Sequence, residues 1–281
     1  MTRTPCAPAT LTRVRVRSCD KVTDSDGVAG PLSAHDFWIE PASYRPAPGT
    51  PVALKLRVGA LLAGEPLPRI PQLIERFNLV SASGESAVPG KDMGDPAGSV
   101  SLPSPGLYIA LYESRFFTTE VEGAKFESYV VDEGLDAVGK ERAKRGETGQ
   151  PTRERFSRCA KAFLLVGSDP KVGASVDKPL GCPLEIFPDK NPYAMKAGEE
   201  LPVHVVLRGK PAADILVAAL DPASAQNPIK VRADKQGRAK LKLPRAGFWL
   251  IKAVHAERAP EDTDVSWQSW WASMTFELPA K

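Results

Sequence analysis

Apolar and polar residues alternate along several short stretches of the chain. Between residues 52 and 58 every second residue is apolar: Val52, Leu54, Leu56 and Val58. A repeat of two puts these side chains on one face of a β-strand and leaves the other face to water. Residues 201 to 207 alternate in the same way. Both stretches are therefore predicted to be strands with one buried face.

Turn residues separate further candidate strands at nearly regular intervals. The chain has 27 prolines and 22 glycines, and many of them stand just before an apolar run. Such runs occupy residues 74–80, 107–112, 156–166, 215–220, 238–243, 248–255 and 272–278. Short strands punctuated by glycine and proline are typical of antiparallel sandwiches. The pattern predicts a mainly β protein with two sandwich-like domains, the C-terminal one immunoglobulin-like.

One segment departs from this pattern and divides the chain. Between residues 124 and 145, Phe126, Val130 and Val138 fall near helical spacing, and charged residues follow them. We expect one or two short helices there. The predicted organisation is a disordered or aberrant leader, an N-terminal β domain, a connector of helix and strand, and a C-terminal sandwich, at residues 1–34, 35–122, 123–182 and 183–281.

Composition narrows the classes of function. Lysine plus arginine (37) nearly balances aspartate plus glutamate (34), and the two signs are interspersed, which argues against nucleic acid as a partner. No stretch approaches the roughly 20 apolar residues of a membrane span, so no integral membrane segment is expected. Neither a G-x-S-x-G elbow nor an H-E-x-x-H helix occurs in the sequence. We expect a protein that is not an enzyme.

The first 34 residues bear on localisation. They carry several arginines but lack the apolar core of a secretory signal. Residues 31–34, just before His35, nevertheless resemble the small-residue end of a signal peptide. We expect a periplasmic protein that begins at His35, with its true signal lost or mis-called in residues 1–34. The alternative is a cytoplasmic protein with a disordered basic tail.

The chain has three histidines, and two of them are candidate metal ligands. His35, as a first residue, would offer both its α-amine and its imidazole, a pair that suits copper or nickel. Asp36 is a candidate oxygen donor, and His255 ends the predicted strand 248–255. A site made of His35, Asp36 and His255 requires the two domains to touch. The alternatives are a strand-start residue for His35 and a core or rim residue for His255.

Tryptophans and cysteines add two further candidates. Trp267, Trp270 and Trp271 precede the last predicted strand, where their rings would form an exposed rim for a ligand or partner. Alternatively, Trp267 and Trp271 cap the core of the sandwich. Of the four cysteines, Cys159 and Cys182 either pair as a disulfide or are separate buried thiols.

Several of these segments together resemble the DUF4198 family of envelope proteins. The matching stretches are AHDFWIEP at 34–41, FSRCAKA at 156–162, GKP at 209–211, GFWLIKAVH at 247–255 and WASMTFE at 271–277. The resemblance implies export, a mature chain that begins at His35, and a transthyretin-like or fibronectin-like C-terminal domain. It also implies a link to nickel or cobalt uptake, with His35 and His255 as candidate ligands and a membrane metal transporter as a partner.

Two functions follow from these observations. The first is a periplasmic accessory protein that binds nickel, cobalt or copper and supports metal uptake. The alternative is a non-catalytic structural module of the cell envelope that binds another envelope protein or a glycan. A hydrolase is the weakest hypothesis, because carboxylates are scattered and no catalytic motif organises them.

Overall fold

Seventeen strands and two helices make up residues 35–280, the part of the chain that the computed structural model describes. The strands of the first half are Asp36–Pro41 (β1), Pro51–Ala60 (β2), Ala63–Leu67 (β3), Ile74–Ser81 (β4), Gly84–Ala87 (β5), Gly98–Ser101 (β6), Gly106–Ser114 (β7) and Phe117–Val121 (β8). The helices are Gly123–Asp132 (α1) and Asp136–Arg145 (α2). The remaining strands are Thr152–Val166 (β9), Leu184–Pro188 (β10), Glu200–Leu207 (β11), Lys210–Pro211 (β12), Leu216–Leu220 (β13), Ile229–Arg232 (β14), Arg238–Lys242 (β15), Gly247–Arg258 (β16) and Trp267–Leu278 (β17). The predicted mainly β class is confirmed.

A nine-stranded sheet forms the centre of the fold. Its strands run in the order β14-β13-β16-β17-β9-β7-β4-β5, and β8 pairs with β9. The central pair, β17 and β9, is parallel, whereas the other neighbours in this sheet are antiparallel. Both strands of the parallel pair are buried on both faces over most of their length. Each face of the sheet must therefore be covered by another layer.

Two four-stranded sheets cover opposite faces of this central sheet. Strands β10, β11, β12 and β15 pack on the face that presents Phe163, Trp249 and Met274. Strands β1, β2, β3 and β6 pack on the other face, against Ala162 and Leu164. The two sandwiches thus share their middle layer. Together they account for the alternating burial of β2 and β11, each of which turns one face to its core.

The two helices cover the rest of the second face. Phe126 and Tyr129 of α1 and Val138 of α2 pack against Trp267 and Trp271 of β17 in one buried cluster. The ring of Tyr129 stacks on that of Trp271 with 5.4 Å between centroids. The helices lie where helical spacing predicted them.

Strands from all three predicted segments join the central sheet. Strands β4, β5, β7 and β8 come from residues 35–122, β9 from 123–182, and β13, β14, β16 and β17 from 183–281. The described residues all belong to one compact unit. The boundaries predicted at 122/123 and 182/183 therefore do not separate layers of the fold. The predicted leader, 1–34, lies outside the described residues.

A buried ion-pair cluster joins β1, α1 and β16. The Lys252 ammonium lies 2.5 Å from an oxygen of Asp36 and 2.6 Å from one of Glu133, the residue that follows α1. All three side chains are at most 14% exposed. Burial alone would lower the pKa of Lys252, but the two carboxylates raise it above its ordinary value. Lys252 therefore stays charged and is the shared ion-pair partner of two carboxylates that are almost fully buried.

Replacing Lys252 with methionine should destabilise the protein by about 3 to 5 kcal/mol, because two buried carboxylates lose their counter-charge. Urea unfolding at pH 7 measures the loss. Lys240, an exposed lysine of β15, supplies the matched control, and Lys240→Met should change the free energy of unfolding by under about 0.5 kcal/mol. Adding Asp36→Asn and Glu133→Gln to Lys252→Met should restore most of the loss. Equal stability of Lys252→Met and the parent would contradict this account.

A second buried carboxyl lies beneath α1. Glu154 of β9 has no exposed surface, and one of its oxygens accepts a hydrogen bond from the Tyr129 hydroxyl at 3.2 Å. Its other oxygen, Oε2, has no hydrogen-bond partner among the described residues. Burial raises the pKa of Glu154 from 4.5 to about 7. The neutral acid is therefore the form that this site favours.

Stability should consequently depend on pH through Glu154. The Glu154 carboxyl keeps its proton up to a pH of about 7 in the folded protein, whereas in the unfolded chain it loses the proton near pH 4.5. The stability that the protonated carboxyl contributes is therefore complete below pH 4.5 and is lost as the pH rises through 7. Urea unfolding measures the free energy of unfolding of the parent and of Glu154→Gln. Between pH 4.5 and 8 the parent should lose up to about 3 kcal/mol relative to the variant. Glu120→Gln, on an exposed side chain of β8, is the control. Parallel pH profiles for the parent and Glu154→Gln would refute the assignment.

Candidate functional site

Strand β16 separates the predicted metal ligands. Its pairing with β17 continues without interruption from Gly247 to Arg258, so its side chains alternate strictly between the two faces of the sheet. Lys252 and His255 are three positions apart and therefore point to opposite faces. Lys252 holds Asp36, which lies in β1 on the second face. His255 lies on the first face.

His35 and Asp36 are occupied by structural contacts. The His35 carbonyl accepts a hydrogen bond from the Arg158 guanidinium at 3.5 Å, and Asp36 is paired with Lys252. Burial, with the positive charge of Arg158, lowers the pKa of His35. Strand β1 itself is fixed to the central sheet, since the Ser273 and Thr275 hydroxyls donate to its carbonyls at 2.6 and 2.9 Å. The segment that begins at His35 thus serves the packing of β1.

His255 makes a different set of contacts. Its Nε2 lies 3.3 Å from Glu257, and its ring stacks on Trp270 with 6.0 Å between centroids. Burial lowers the pKa of His255, although Glu257 opposes the shift. Because the sheet lies between His255 and the pair His35 and Asp36, the three side chains do not meet at one point. Within residues 35–280, no group of three or more His, Cys, Asp or Glu side chains is arranged to hold a metal ion. The donors predicted for nickel, cobalt or copper therefore do not fit a shared ion.

The tryptophans are strand residues rather than an exposed rim. Strand β17 begins at Trp267, five residues earlier than the predicted start at Ala272, because its pairing with β9 and β16 already starts there. Trp267 and Trp271 are 1% and 5% exposed and lie beneath the helices. The alternative in which they cap a core describes their position. Trp270 points to the other face, beside His255.

A groove of about 600 Å³ opens on this first face, next to Trp270. It lies where the layer of β10, β11 and β12 ends, so part of the central sheet is left uncovered. Its walls are the residues before β10, the turn after β11, and Phe116. Its lining includes Phe116, Arg155, Cys182, Arg208, Gln268 and Trp270.

Phe116 and Arg155 form one side of the groove. Phe116 is 45% exposed, and its ring meets that of Trp270 edge to face with 6.0 Å between centroids. The Arg155 guanidinium lies over the Phe116 ring, 4.8 Å from its centroid. Nε and Nη2 of Arg155 both donate to Oε1 of Gln268, at 3.1 and 2.6 Å. The guanidinium is therefore held over the aromatic ring, and among residues 35–280 its Nη1 has no acceptor.

Arg208 forms the opposite side through a tight turn. Arg208 and Gly209 have φ values of 51° and 74°, and they connect Leu207 to Lys210 in a hairpin. A two-residue turn with two positive φ values matches the twist of the flanking strands, although an arginine is unusual in it. The Arg208 guanidinium lies 4.5 Å from the centroid of the Trp270 ring and pairs with Glu257 at 2.6 Å. This turn thus closes the groove over Trp270.

Sequence reasoning missed the groove because its residues are far apart in the chain. Arg155 and Gln268 meet through the pairing of β9 with β17, whereas Phe116 and Arg208 lie in turns that the folding of two different sheets brings to them. One local signal exists. Phe116 and Phe117 are adjacent, so they point to opposite sides, and only Phe117 is needed to pack on Phe156.

Comparisons with known proteins identify the family and leave the activity open. No curated protein matches this chain. Among solved structures, the "D0-D1 domain of Intimin" is 12% identical, with a TM-score of 0.19, over 86% of this chain and 97% of that one. No helix among residues 35–280 is long and apolar enough to cross a membrane. The family model described as "Domain of unknown function (DUF4198)" matches residues 32–257, in agreement with the resemblance seen in the sequence. The chain therefore belongs to the DUF4198 family.

Proposed function

We propose that this protein is a non-catalytic binding module whose groove receives a peptide segment of a partner protein. The segment carries a carboxylate beside an apolar side chain. The observation that carries the proposal is that Arg155, a partly buried cation, has no carboxylate partner among residues 35–280. A cation that is oriented but not neutralised is suited to an incoming anion.

The other charges of the groove are already paired. Arg208 is neutralised by Glu257, and Glu113 accepts from Arg76 at 2.8 Å. Glu185 pairs with the buried Lys161 at 2.5 Å. Arg155 is thus the net positive charge of this surface. The Gln268 amide holds it by its oxygen and leaves the charge intact.

The walls of the groove favour a peptide over a glycan. They are mainly apolar and include Pro179, Pro183, Val206 and Pro260 as well as the exposed ring of Phe116. A sugar ring needs several free donors and acceptors for its hydroxyl groups, and most polar side chains here already bond to each other. An apolar side chain needs only the ring and the prolines. A neighbouring carboxylate then reaches Nη1 of Arg155.

The expected metal function and periplasmic location are separate matters. The separation of His35 from His255 weighs against one shared ion, and metal binding at either histidine alone stays a prediction. Periplasmic localisation likewise stays a prediction. It agrees with a partner in the cell envelope, which we propose as the source of the peptide.

Replacing Arg155 with glutamine should weaken peptide binding about 10- to 100-fold, because a charge-assisted hydrogen bond is lost while the contact with Gln268 can persist. The probe is a panel of fluorescent decapeptides in which Leu or Phe stands beside Asp or a free C-terminal carboxylate. Fluorescence polarisation measures binding, and amidated, Asn-containing versions of the same peptides measure the contribution of the charge. Phe116→Ala should also weaken binding, by roughly tenfold.

Arg115→Gln is the matched control. Arg115 neighbours the groove wall in sequence but pairs with Glu75, is 58% exposed, and carries the same charge. Its variant should bind the peptides as the parent does. Equal affinity of Arg155→Gln and the parent would contradict the proposal, as would equal binding of the neutral peptides. Binding of uronic-acid oligosaccharides without peptide binding would replace the proposal with the glycan alternative.

Binding of nickel, cobalt or copper at one of the two histidines, His35 or His255, should not depend on the other histidine. Calorimetric titration of a chain that begins at His35 should show that His255→Ala leaves the affinity for an ion bound at His35 unchanged, since the two imidazoles lie on opposite faces of the sheet. If each single variant abolished binding of the same ion, a shared site would be established and this separation would not hold in solution.

A further inference from the structure

Two cysteines meet behind the wall of the groove. Cys159 lies in β9 on the first face of the central sheet, and Cys182 lies two residues before β10. Both are buried, and both belong to one small cluster with Leu111. Burial raises the pKa of the Cys159 thiol well above its ordinary value, and a hydrogen bond with Cys182 raises it further. The two thiols are therefore neighbours in the folded chain.

The backbone around Cys182 is fixed before any bond between the sulfurs is made. One carboxylate, that of Glu185, accepts the backbone N–H groups of Leu180, Gly181 and Cys182 at 2.5, 3.0 and 3.2 Å. Glu185 is itself anchored by the buried Lys161. The turn that presents Cys182 is thus attached to the central sheet by a polar network, and it does not depend on the cysteines.

Arg76 adds a second anchor for this turn. Its guanidinium donates to the carbonyl of Leu180 at 3.1 Å and to the sulfur of Cys182 at 3.5 Å. It also pairs with Glu113, which lies directly opposite Cys159 in the pairing of β7 and β9. Arg76 therefore holds Cys182 in position, and its partner Glu113 lies in the strand that pairs with β9 at Cys159. The two thiols are thus held beside each other from both sides.

We propose that Cys159 and Cys182 form a disulfide during folding in an oxidising environment. A thiolate of one cysteine attacks the disulfide of a thiol carrier, such as oxidised glutathione, and releases one carrier thiol. The other cysteine then attacks this mixed disulfide and releases the second thiol. One Sγ–Sγ bond forms, the carrier disulfide is reduced to two thiols, and the protons of the two cysteines pass to the released thiols.

The bond would fasten the groove wall to the central sheet. Gly181, Cys182 and Pro183 line the groove, and the segment between β9 and β10 that carries them has little regular structure. A disulfide with Cys159 attaches the C-terminal end of that segment, at Cys182, to β9. This inference does not depend on the proposed function, because the bond can be measured without any ligand.

Refolding with a glutathione redox buffer tests the proposal. The chain carries Cys6→Ser and Cys19→Ser, so that Cys159 and Cys182 are its only thiols. It starts unfolded and reduced, because both thiols are buried in the folded protein. Free thiols are then blocked with N-ethylmaleimide under denaturing conditions. Mass spectrometry should find the unblocked chain lighter by two hydrogens, with a cross-linked peptide pair that contains Cys159 and Cys182.

Thermal unfolding supplies a second measurement. The oxidised protein should melt roughly 5 to 10 °C above the same protein reduced with a phosphine, because the bond closes the loop between the two cysteines in the unfolded chain. The Cys159→Ala variant should lose this response to reduction while it keeps the fold.

Three results would overturn the proposal: two blocked thiols after refolding at high oxidised glutathione, mixed disulfides with glutathione alone, or chains joined to each other. If the Ser substitutions prevent folding, peptide mapping of the parent chain answers the same question. Peptide binding to the oxidised and reduced forms is measured separately. A missing disulfide with normal peptide binding would contradict only this inference, and a mapped disulfide without peptide binding would contradict only the proposed function.

Discussion

The need to cover both faces of β9 and β17 governs the whole structure. These two strands are apolar on each side, so the central sheet is stable only with a layer above and a layer below. One four-stranded sheet supplies the first layer, and the other sheet together with α1 and α2 supplies the second. The groove exists because the first layer ends before the central sheet does. Its floor is thus a sheet surface that the fold leaves open beside Trp270.

Polar side chains inside these layers serve to align them. Lys252 connects β16 to β1 and to the end of α1, and Lys161 connects β9 to Glu185 at the start of β10. Buried charges of this kind tolerate few alternative positions, because a misplaced layer would leave a charge without its partner. We therefore interpret Asp36 as a residue that fixes the position of β1 on the central sheet. To bind a metal ion, the Asp36 carboxylate would have to give up its ion pair with Lys252.

The sequence predicted those parts of the fold that have one wet face. Strands β2 and β11 alternate visibly because one side of each contacts a core and the other is more exposed. Strand β17 has no such alternation, since both of its sides are buried, and the sequence pattern therefore does not mark its first five residues as a strand. Periodicity also carries no information about which strands pair. For that reason the sequence does not reveal that the two sandwiches share one sheet.

The candidate site was less predictable than the fold. His35 and His255 are two of the three histidines in the chain, but the small number of histidines does not indicate that their side chains lie close together. Arg155 stood in a stretch with other arginines, and nothing local distinguished it from Arg153, which pairs with Asp264. Both point to the same face of the sheet, since they are two positions apart in β9, and the difference between them lies in the side chains that each one meets. Arg155 points to the first face of the sheet and meets Phe116 and Gln268 there.

The parallel pairing of β9 with β17 has a consequence for the order in which the molecule can be completed. About a hundred residues separate the two strands, and they include every strand from β10 to β16. During synthesis, β9 and β16 leave the ribosome with one long edge each unpaired, and they wait for β17, which is the last strand described. An open edge invites pairing with another chain. The fold is therefore closed from the middle of its sheet, and a nascent chain without β17 exposes two strand edges at which other chains can pair.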